Sequence, residues 1–97
     1  MQESPSDNFL DEKSNFSKLY PNPNNGTMQL DYELHEGQTG EVVIFDIMGN
    51  KVSTYPLGIN KKGTLQISEA SFKNGVYLYE IKVNRETKDS DKIVILK

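Results

Sequence analysis

The sequence predicts an all-β fold, in the form of a small antiparallel β-sandwich. From Leu19 onward, apolar residues recur mainly at every second position, which is the period of a half-buried strand, and helical spacing is nearly absent. Turn-forming residues separate these stretches at intervals of about eight to twelve positions, as in sandwiches and barrels. The stretches number six, or seven if Leu19 and Tyr20 form one of their own. This pattern favours an immunoglobulin-like sandwich of six to seven strands.

The first half of the domain holds three predicted strands. In residues 28–34 apolar side chains alternate with polar ones, so one face of this strand is buried and the other is solvated. Residues 41–48 contain a nearly continuous apolar run, which is typical of a central strand. After a tight turn at Gly49, residues 51–57 form the returning strand, and Pro56 marks its end or an edge position.

The second half continues the same alternation. Residues 64–68 form a short half-buried strand, and residues 68–73 are compatible with one helical turn before Asn74 and Gly75. Residues 92–97 form the last strand, an apolar run between two lysines. In residues 76–83 we expect one set of alternating side chains to face the core, namely Tyr77, Tyr79, Ile81 and Val83.

Composition narrows the possible functions. The 97 residues carry 14 acidic and 11 basic side chains, a net charge of −3, with one His and no Cys. Without Cys there is no disulfide framework, no thiolate metal site and no Cys nucleophile. The acidic balance argues against a duplex nucleic-acid binder, which concentrates Lys and Arg on one face. No stretch is apolar enough for a transmembrane helix.

The first 18 residues differ from the rest of the chain. They are polar and acidic, with isolated apolar positions and no secretory signal peptide. Such a composition does not offset the entropy lost on ordering, so we expect residues 1–18 to be a disordered linker and residues 19–97 to be the folded domain.

Few residues are candidates for chemistry. His35 is the only histidine and falls at a predicted strand end, where an exposed side chain without a catalytic role is the simpler interpretation. The pairs Asp31 with Glu33 and Asp89 with Asp91 could attract calcium, but neither has the spacing of a calcium loop. We therefore expect no catalytic residue, no metal and no cofactor, and hence no enzyme.

Four short motifs occur in order along the domain. The first is Tyr20, Pro21, Asn22 and Pro23, followed by Gly26; the second contains Gly40, Asp46, Gly49 and Lys51; the third contains Gly75 and Tyr77; the last is Lys92, Ile93, Val94, Ile95, Leu96 and Lys97. Together they resemble the type A C-terminal sorting domain of the type IX (Por) secretion system of Bacteroidetes. One departure is Asn50, where that family usually has Arg or Lys; the basic residue here is Lys51.

The resemblance implies a role as an export address. Such a domain ends a larger secreted protein and directs it from the periplasm through the type IX outer-membrane translocon, with its shuttle proteins, to the cell surface or the medium. A sortase-like cysteine protease then removes the domain, often attaching the cargo to the surface. Residues 1–18 would join the domain to the upstream cargo and contain the cleavage site. The resemblance implies no enzymatic activity of the domain itself.

Two sets of residues follow from the motifs. We expect the translocon or sortase to recognise the terminal strand and the nearby turn, because an unpaired edge strand invites a partner strand. This set is Lys92, Ile93, Val94, Ile95, Leu96, Lys97, Asp46, Gly49 and Lys51. The second set shapes the fold through turn geometry, rigid prolines and core packing. It is Tyr20, Pro21, Asn22, Pro23, Gly26, Gly40, Gly75 and Tyr77.

Two other functions fit the same fold. A fibronectin-like accessory module would bind polysaccharide or space the domains of a surface enzyme, and it needs an exposed aromatic strip, for which Tyr55 is the best candidate. A pro-domain would instead block the active site of its cargo.

Overall fold

A computed structural model of the chain describes residues 15–58 and 62–97. These residues form seven strands, as predicted for an all-β fold. In chain order they are β1 (Asn15–Phe16), β2 (Thr27–Glu33), β3 (Gly40–Asp46), β4 (Lys51–Pro56), β5 (Lys62–Ser68), β6 (Gly75–Val83) and β7 (Glu86–Ile95). None of the described residues belongs to a helix that could cross a bilayer.

The strands form two antiparallel sheets that pack into a sandwich. The three-stranded sheet has the order β1-β2-β5, and the four-stranded sheet has the order β4-β3-β6-β7. In the larger sheet, Phe45 of β3 lies opposite Leu78 of β6, which lies opposite Lys92 of β7. The turn after β3 and the end of the terminal strand are therefore at the same end of this sheet.

The core lies between the two sheets and has contributions from every predicted strand. Alternation places Met28, Leu30 and Tyr32 of β2 inward, and the same pattern in β6 buries Tyr79 and Ile81. The remaining buried apolar side chains of the cluster are Leu19, Leu34, Val42, Ile44, Leu57, Ile67, Phe72, Val83, Ile93 and Ile95. Tyr77 packs against this cluster but remains partly exposed.

The structure differs from the predicted elements in three places. The last strand, predicted at residues 92–97, spans Glu86–Ile95, because residues 86–91 also pair with β6. The seventh strand is Asn15–Phe16, within the segment interpreted as a linker, whereas Tyr20 makes only an isolated bridge to Gln29. The rest of that interpretation concerns residues 1–14, which lie outside the described part of the chain. Residues 68–73 contain a single turn, in which Phe72 N–H donates to Glu69 O, and no helix, in agreement with the one turn expected there. Strand β3 ends at Asp46, so Ile47 is in the turn and exposed.

Candidate recognition surface

The opening motif lies along the outer edge of the terminal strand. The side-chain amide of Asn22 donates from Nδ2 to Lys92 O at 3.1 Å, and its Oδ1 accepts from Val94 N–H at 3.0 Å. One step further, Asn24 N–H donates to Val94 O at 2.9 Å, and Leu96 N–H donates to Asn24 O at 2.7 Å. The Asn22 side chain and the parallel bridge between Asn24 and Ile95 thus cover this edge. We call residues 20–26 the clamp.

The clamp is itself held in shape by buried polar contacts. Asn24 is buried, and its Oδ1 accepts from Gly26 N–H at 2.7 Å while its Nδ2 donates to Pro21 O at 3.1 Å. Gly26 has φ +106°, and a Cβ there would lie 3.0 Å from Glu69 O. A side chain at this position would strain the backbone, because of the positive φ, and would crowd the Glu69 carbonyl oxygen. Tyr20-Pro21 and Asn22-Pro23 are cis peptide bonds.

The expected open edge of the terminal strand is therefore not present at residues 92–96. In antiparallel pairing, N–H and C=O groups of alternate residues point away from the neighbouring strand. On this strand those groups belong to Lys92, Val94 and Leu96. The clamp binds Lys92 O, both backbone groups of Val94 and Leu96 N–H, whereas Lys92 N–H donates to Asp91 Oδ1 at 2.8 Å. The prediction that these groups are unpaired was wrong, because two distant parts of the chain meet here. Binding through strand addition would require the clamp to leave.

The first half of β7 carries an ion-pair cluster. Lys18 Nζ lies 3.2 Å from Asp89 Oδ2 and 3.4 Å from Asp91 Oδ2. The hydrogen bond to Asp89 raises the pKa of Lys18, and the Lys92 N–H and Lys18 hold the pKa of Asp91 below its ordinary value. A lysine ammonium thus lies beside the two carboxylates that the sequence analysis considered as a calcium pair and did not favour. The described residues contain no group of three or more His, Cys, Asp or Glu side chains that could hold a metal.

The six residues of the terminal motif face different surroundings. Ile93 and Ile95 are fully buried in the core, whereas Lys92 and Leu96 are exposed. Lys97 is tethered, because its Nζ donates to Ala70 O at 2.6 Å and its N–H donates to Asn74 Oδ1 at 2.8 Å. The exposed side chains of the motif are therefore those of Lys92, Leu96 and the tethered Lys97.

Asp46 organises the turn between β3 and β4. Its Oδ1 accepts from Met48 N–H and Asn50 N–H, both at 2.9 Å, and its Oδ2 accepts from Asn50 Nδ2 at 3.2 Å. These hydrogen bonds, led by that of Asn50 N–H, hold the pKa of Asp46 below its ordinary value. Gly49 completes the turn with φ +90°. The carboxylate is thus directed into its own turn, and the tip presents Ile47 and Met48.

A shallow groove joins the turn to the terminal strand. Its volume is about 560 Å³, and its lining includes Gly49, Phe45, Leu78 and Lys92 on the outer face of the four-stranded sheet. Lys51 lies opposite Phe45 in the β3–β4 register and is exposed. Gly49 and Lys92 thus line one groove, and Lys51 lies opposite its lining residue Phe45, whereas Ile93, Ile95 and Lys97 are not among the lining residues.

The sequence interpretation missed the apolar character of this face. Among the described residues, six of the seven exposed large apolar side chains are in β4, β6, the β3–β4 turn or directly after β7; these six are Ile47, Met48, Val52, Val76, Leu78 and Leu96. The signal was present in the alternation of β6, where both sets of positions are apolar at Val76 and Leu78.

Gly40 and Tyr77 have structural roles. A Cβ at Gly40 would lie 2.8 Å from Leu57 Cδ1, so the glycine permits close packing where β3 begins. Tyr77 packs edge-to-face on Phe72 with ring centroids 5.4 Å apart. Its hydroxyl donates to Lys73 O at 2.8 Å and accepts from Lys73 N–H at 3.2 Å, which fixes the loop before Gly75. Gly75 begins β6.

The tyrosines do not form an exposed aromatic strip. Tyr55 packs against the core, and its hydroxyl donates to Glu69 Oε2 at 3.0 Å, so its predicted exposure is only partial. Tyr20 is 38% exposed and lies on the other sheet, where its hydroxyl donates to Asp31 Oδ2 at 2.7 Å. This arrangement gives no support to a polysaccharide-stacking surface.

Comparison with known proteins gives one finding. The family model of the secretion system C-terminal sorting domain matches residues 18–96. Neither the curated proteins nor the solved structures contain a significant match.

Proposed function

The chain belongs to the family of secretion system C-terminal sorting domains, and from this premise we propose that the folded sandwich itself is the signal that the machinery reads. The domain is a C-terminal sorting signal of the type IX secretion system, and it directs the protein that carries it to the cell surface or beyond. Members of this family are sorting signals and not enzymes. The match over residues 18–96 is the observation that carries this conclusion.

The proposal assigns recognition to the end of the four-stranded sheet. Lys92, Lys51 and Gly49 line or border one groove on a solvated face, which a folded receptor could cover. Asp46 supports this surface by fixing the turn, and Ile93 and Ile95 support it by anchoring the terminal strand in the core. We assign the groove to the translocon and its shuttle proteins.

The proposal also assigns the processing step. A sortase-like cysteine protease would cut within residues 1–18, between the domain and its cargo, after passage through the periplasm. The described sandwich begins at Asn15, so a cut in the preceding polar residues would leave both sheets and the clamp intact. The cargo would then be released or attached to the surface.

The experiment fuses residues 1–97 behind a fluorescent reporter that carries a Sec signal peptide. The fusion is expressed in a type IX-competent bacterium and in its translocon-null sibling. We expect reporter at the surface or in the medium only in the competent strain, with the domain removed. Periplasmic retention in both strains, with the domain shown to be folded by protease resistance, would contradict the proposed function.

The charge of Lys92 gives a sharper test of the recognition surface. Lys92→Glu should spare the fold, because the side chain is exposed, and should lower export of the reporter. Lys88→Glu is the matched control, since it makes the same charge change on the same strand away from the groove. Equal export of the two variants and the wild type would exclude Lys92 from recognition.

A further inference from the structure

The outer face of the four-stranded sheet carries an apolar patch that the sorting motifs do not explain. We define the patch as Ile47, Met48, Val52, Val76 and Leu78, whose exposed fractions range from 43% to 82%. Ile47, Val52 and Val76 line one groove of about 480 Å³, and Leu78 lines the neighbouring groove with Phe45. Val76 and Leu78 are on the same face of β6, two residues apart, so the two grooves lie next to each other.

The five apolar side chains of the patch indicate a binding surface because they form one cluster. Single exposed apolar residues are ordinary on protein surfaces, but a contiguous group surrounded by charges marks an interaction site. The opposite outer face, on the three-stranded sheet, shows the ordinary pattern. There Gln29, Asp31 and Thr64 form polar contacts with each other or with Tyr20. The two outer faces are exposed to the same solvent, so solubility does not account for the difference.

The border of the patch is positively charged. Lys51 lies opposite Phe45, Lys92 lies opposite Leu78, and Lys73 lines the groove with Val76. The ion pairs found within residues 15–58 and 62–97 involve Lys18, Lys82 and Lys88, and none of these three border lysines.

The acidic groups near the patch are already engaged. Asp91 pairs with Lys18, and Glu80 lies 3.9 Å from Lys82 Nζ. Asp46 accepts hydrogen bonds from its own turn. A chain with a net charge of −3 therefore presents three lysines outside those ion pairs around one apolar centre. This arrangement complements a surface that is apolar in the middle and acidic at its border.

We propose that the apolar patch is the main binding determinant of the domain, and that its partner is a folded protein of the secretion machinery with an apolar centre and an acidic border. This inference rests on the proposed function and adds to it the residues that supply the affinity. Burial of Leu78, Val76 and Met48 drives association, and the three lysines set its orientation. A second copy of the chain is disfavoured, since two-fold pairing would bring one basic border against another.

The test uses the free chain as a competitor of export. Residues 1–97, with a Sec signal peptide and no reporter, are expressed with the exported fusion in the type IX-competent strain. We expect the wild-type chain to occupy the receptor and lower reporter export. Leu78→Glu and Met48→Glu should each weaken this competition about tenfold or more, because each puts a charge into an apolar interface. Gln66→Glu, which adds the same charge to an exposed strand position on the other sheet, should compete like the wild type.

The competition test has one control for the folding of the variants and one variant that tests the charged border. Each purified variant must keep a cooperative thermal transition. Met48→Glu should disturb the core least, because Met48 is in a turn and 82% exposed. Lys51→Glu combined with Lys73→Glu should also weaken competition, because the border would then repel an acidic partner. Competition equal to wild type by the folded patch variants would overturn the proposal while leaving export by the wild-type fusion, and thus the proposed function, intact.

Two further results would identify a different binding partner for the patch. Cosedimentation of the wild-type chain with vesicles of phosphatidylethanolamine and phosphatidylglycerol, lost in Leu78→Glu, would make the patch a lipid-binding surface. A stable dimer in light scattering, in place of the 11.0 kDa monomer, that Leu78→Glu dissociates would make the patch a contact between copies. Either result would overturn a protein receptor as its occupant.

Discussion

At the scale of single residues, the turn at Asp46 shows how one carboxylate defines a local shape. Two backbone N–H groups and the Asn50 side chain donate to it, so the charged form is stabilised. Asn50, directly after Gly49, departs from the family pattern. In the structure its side-chain amide donates to Asp46 Oδ2 and so closes the turn. The turn in turn orients Ile47 and Met48.

The pKa of Asp46 predicts how stability depends on pH. In the folded chain it lies below its ordinary value of 3.8, so the unfolded chain takes up the proton first as the pH falls. The stabilisation is complete at about pH 5 and above, and it is lost as the pH falls through the folded-state pKa. We expect urea midpoints of the wild type to fall more steeply between about pH 5 and pH 2 than those of Asp46→Asn, which keeps an acceptor oxygen without the titration. Parallel slopes for both proteins would show that Asp46 does not contribute.

At the scale of elements, the clamp makes the terminal strand an internal strand over its last residues. An edge strand with free N–H and C=O groups is prone to pair with other chains. Here Asn22 and Asn24 supply the missing partners for Lys92, Val94 and Leu96. The opening and closing motifs of the domain are therefore one structural unit, although about seventy residues separate them in the chain.

Hydrogen exchange can test the clamp at one amide. Asn22→Ala removes the acceptor of Val94 N–H and should speed exchange at Val94, while Leu96 N–H keeps its acceptor, Asn24 O. Two solvent-exposed hydrogen bonds are lost, so we expect the free energy of unfolding to fall by about 1–2 kcal/mol. Gln66→Ala, an exposed strand substitution elsewhere, should change neither quantity. Unchanged protection of Val94 in Asn22→Ala would show that the side chain does not seal this edge.

At the scale of the whole molecule, the recognition surface exists only when both sheets are packed. The patch residues come from three segments of the chain, and their positions depend on a core that includes both sheets. A domain of this size has a small free energy of unfolding, so the loss of one core side chain can leave most molecules unfolded. Under the proposed function, the signal is then a property of the fold and not of the terminal residues alone.

A core substitution far from the terminal motif separates these two possibilities. Ile67 is 1% exposed and lies on β5, in the other sheet. Ile67→Ala should lower the free energy of unfolding by about 2–5 kcal/mol, and export of the reporter should fall with the folded fraction. Residues 92–97 are unchanged in this variant. Full export from a chain shown to be unfolded in circular dichroism would mean that a linear segment is sufficient.

The sequence by itself determined the strand pattern, the fold class and the family. Strand alternation is a local property, as in β2 and β6, and the four ordered motifs can be read without knowing what they contact. The functional class follows from those motifs, which the family match confirms.

Only the tertiary structure decided which surfaces these residues share. Sequence alternation does not reveal strand order, so the meeting of Asn22 with Val94, and of the β3–β4 turn with β6 and β7, appears only after the sheets assemble. For the same reason the terminal motif seemed to be one exposed strand, whereas packing buries Ile93 and Ile95 and tethers Lys97. Exposure and pairing depend on contacts between distant segments, which the local pattern does not contain.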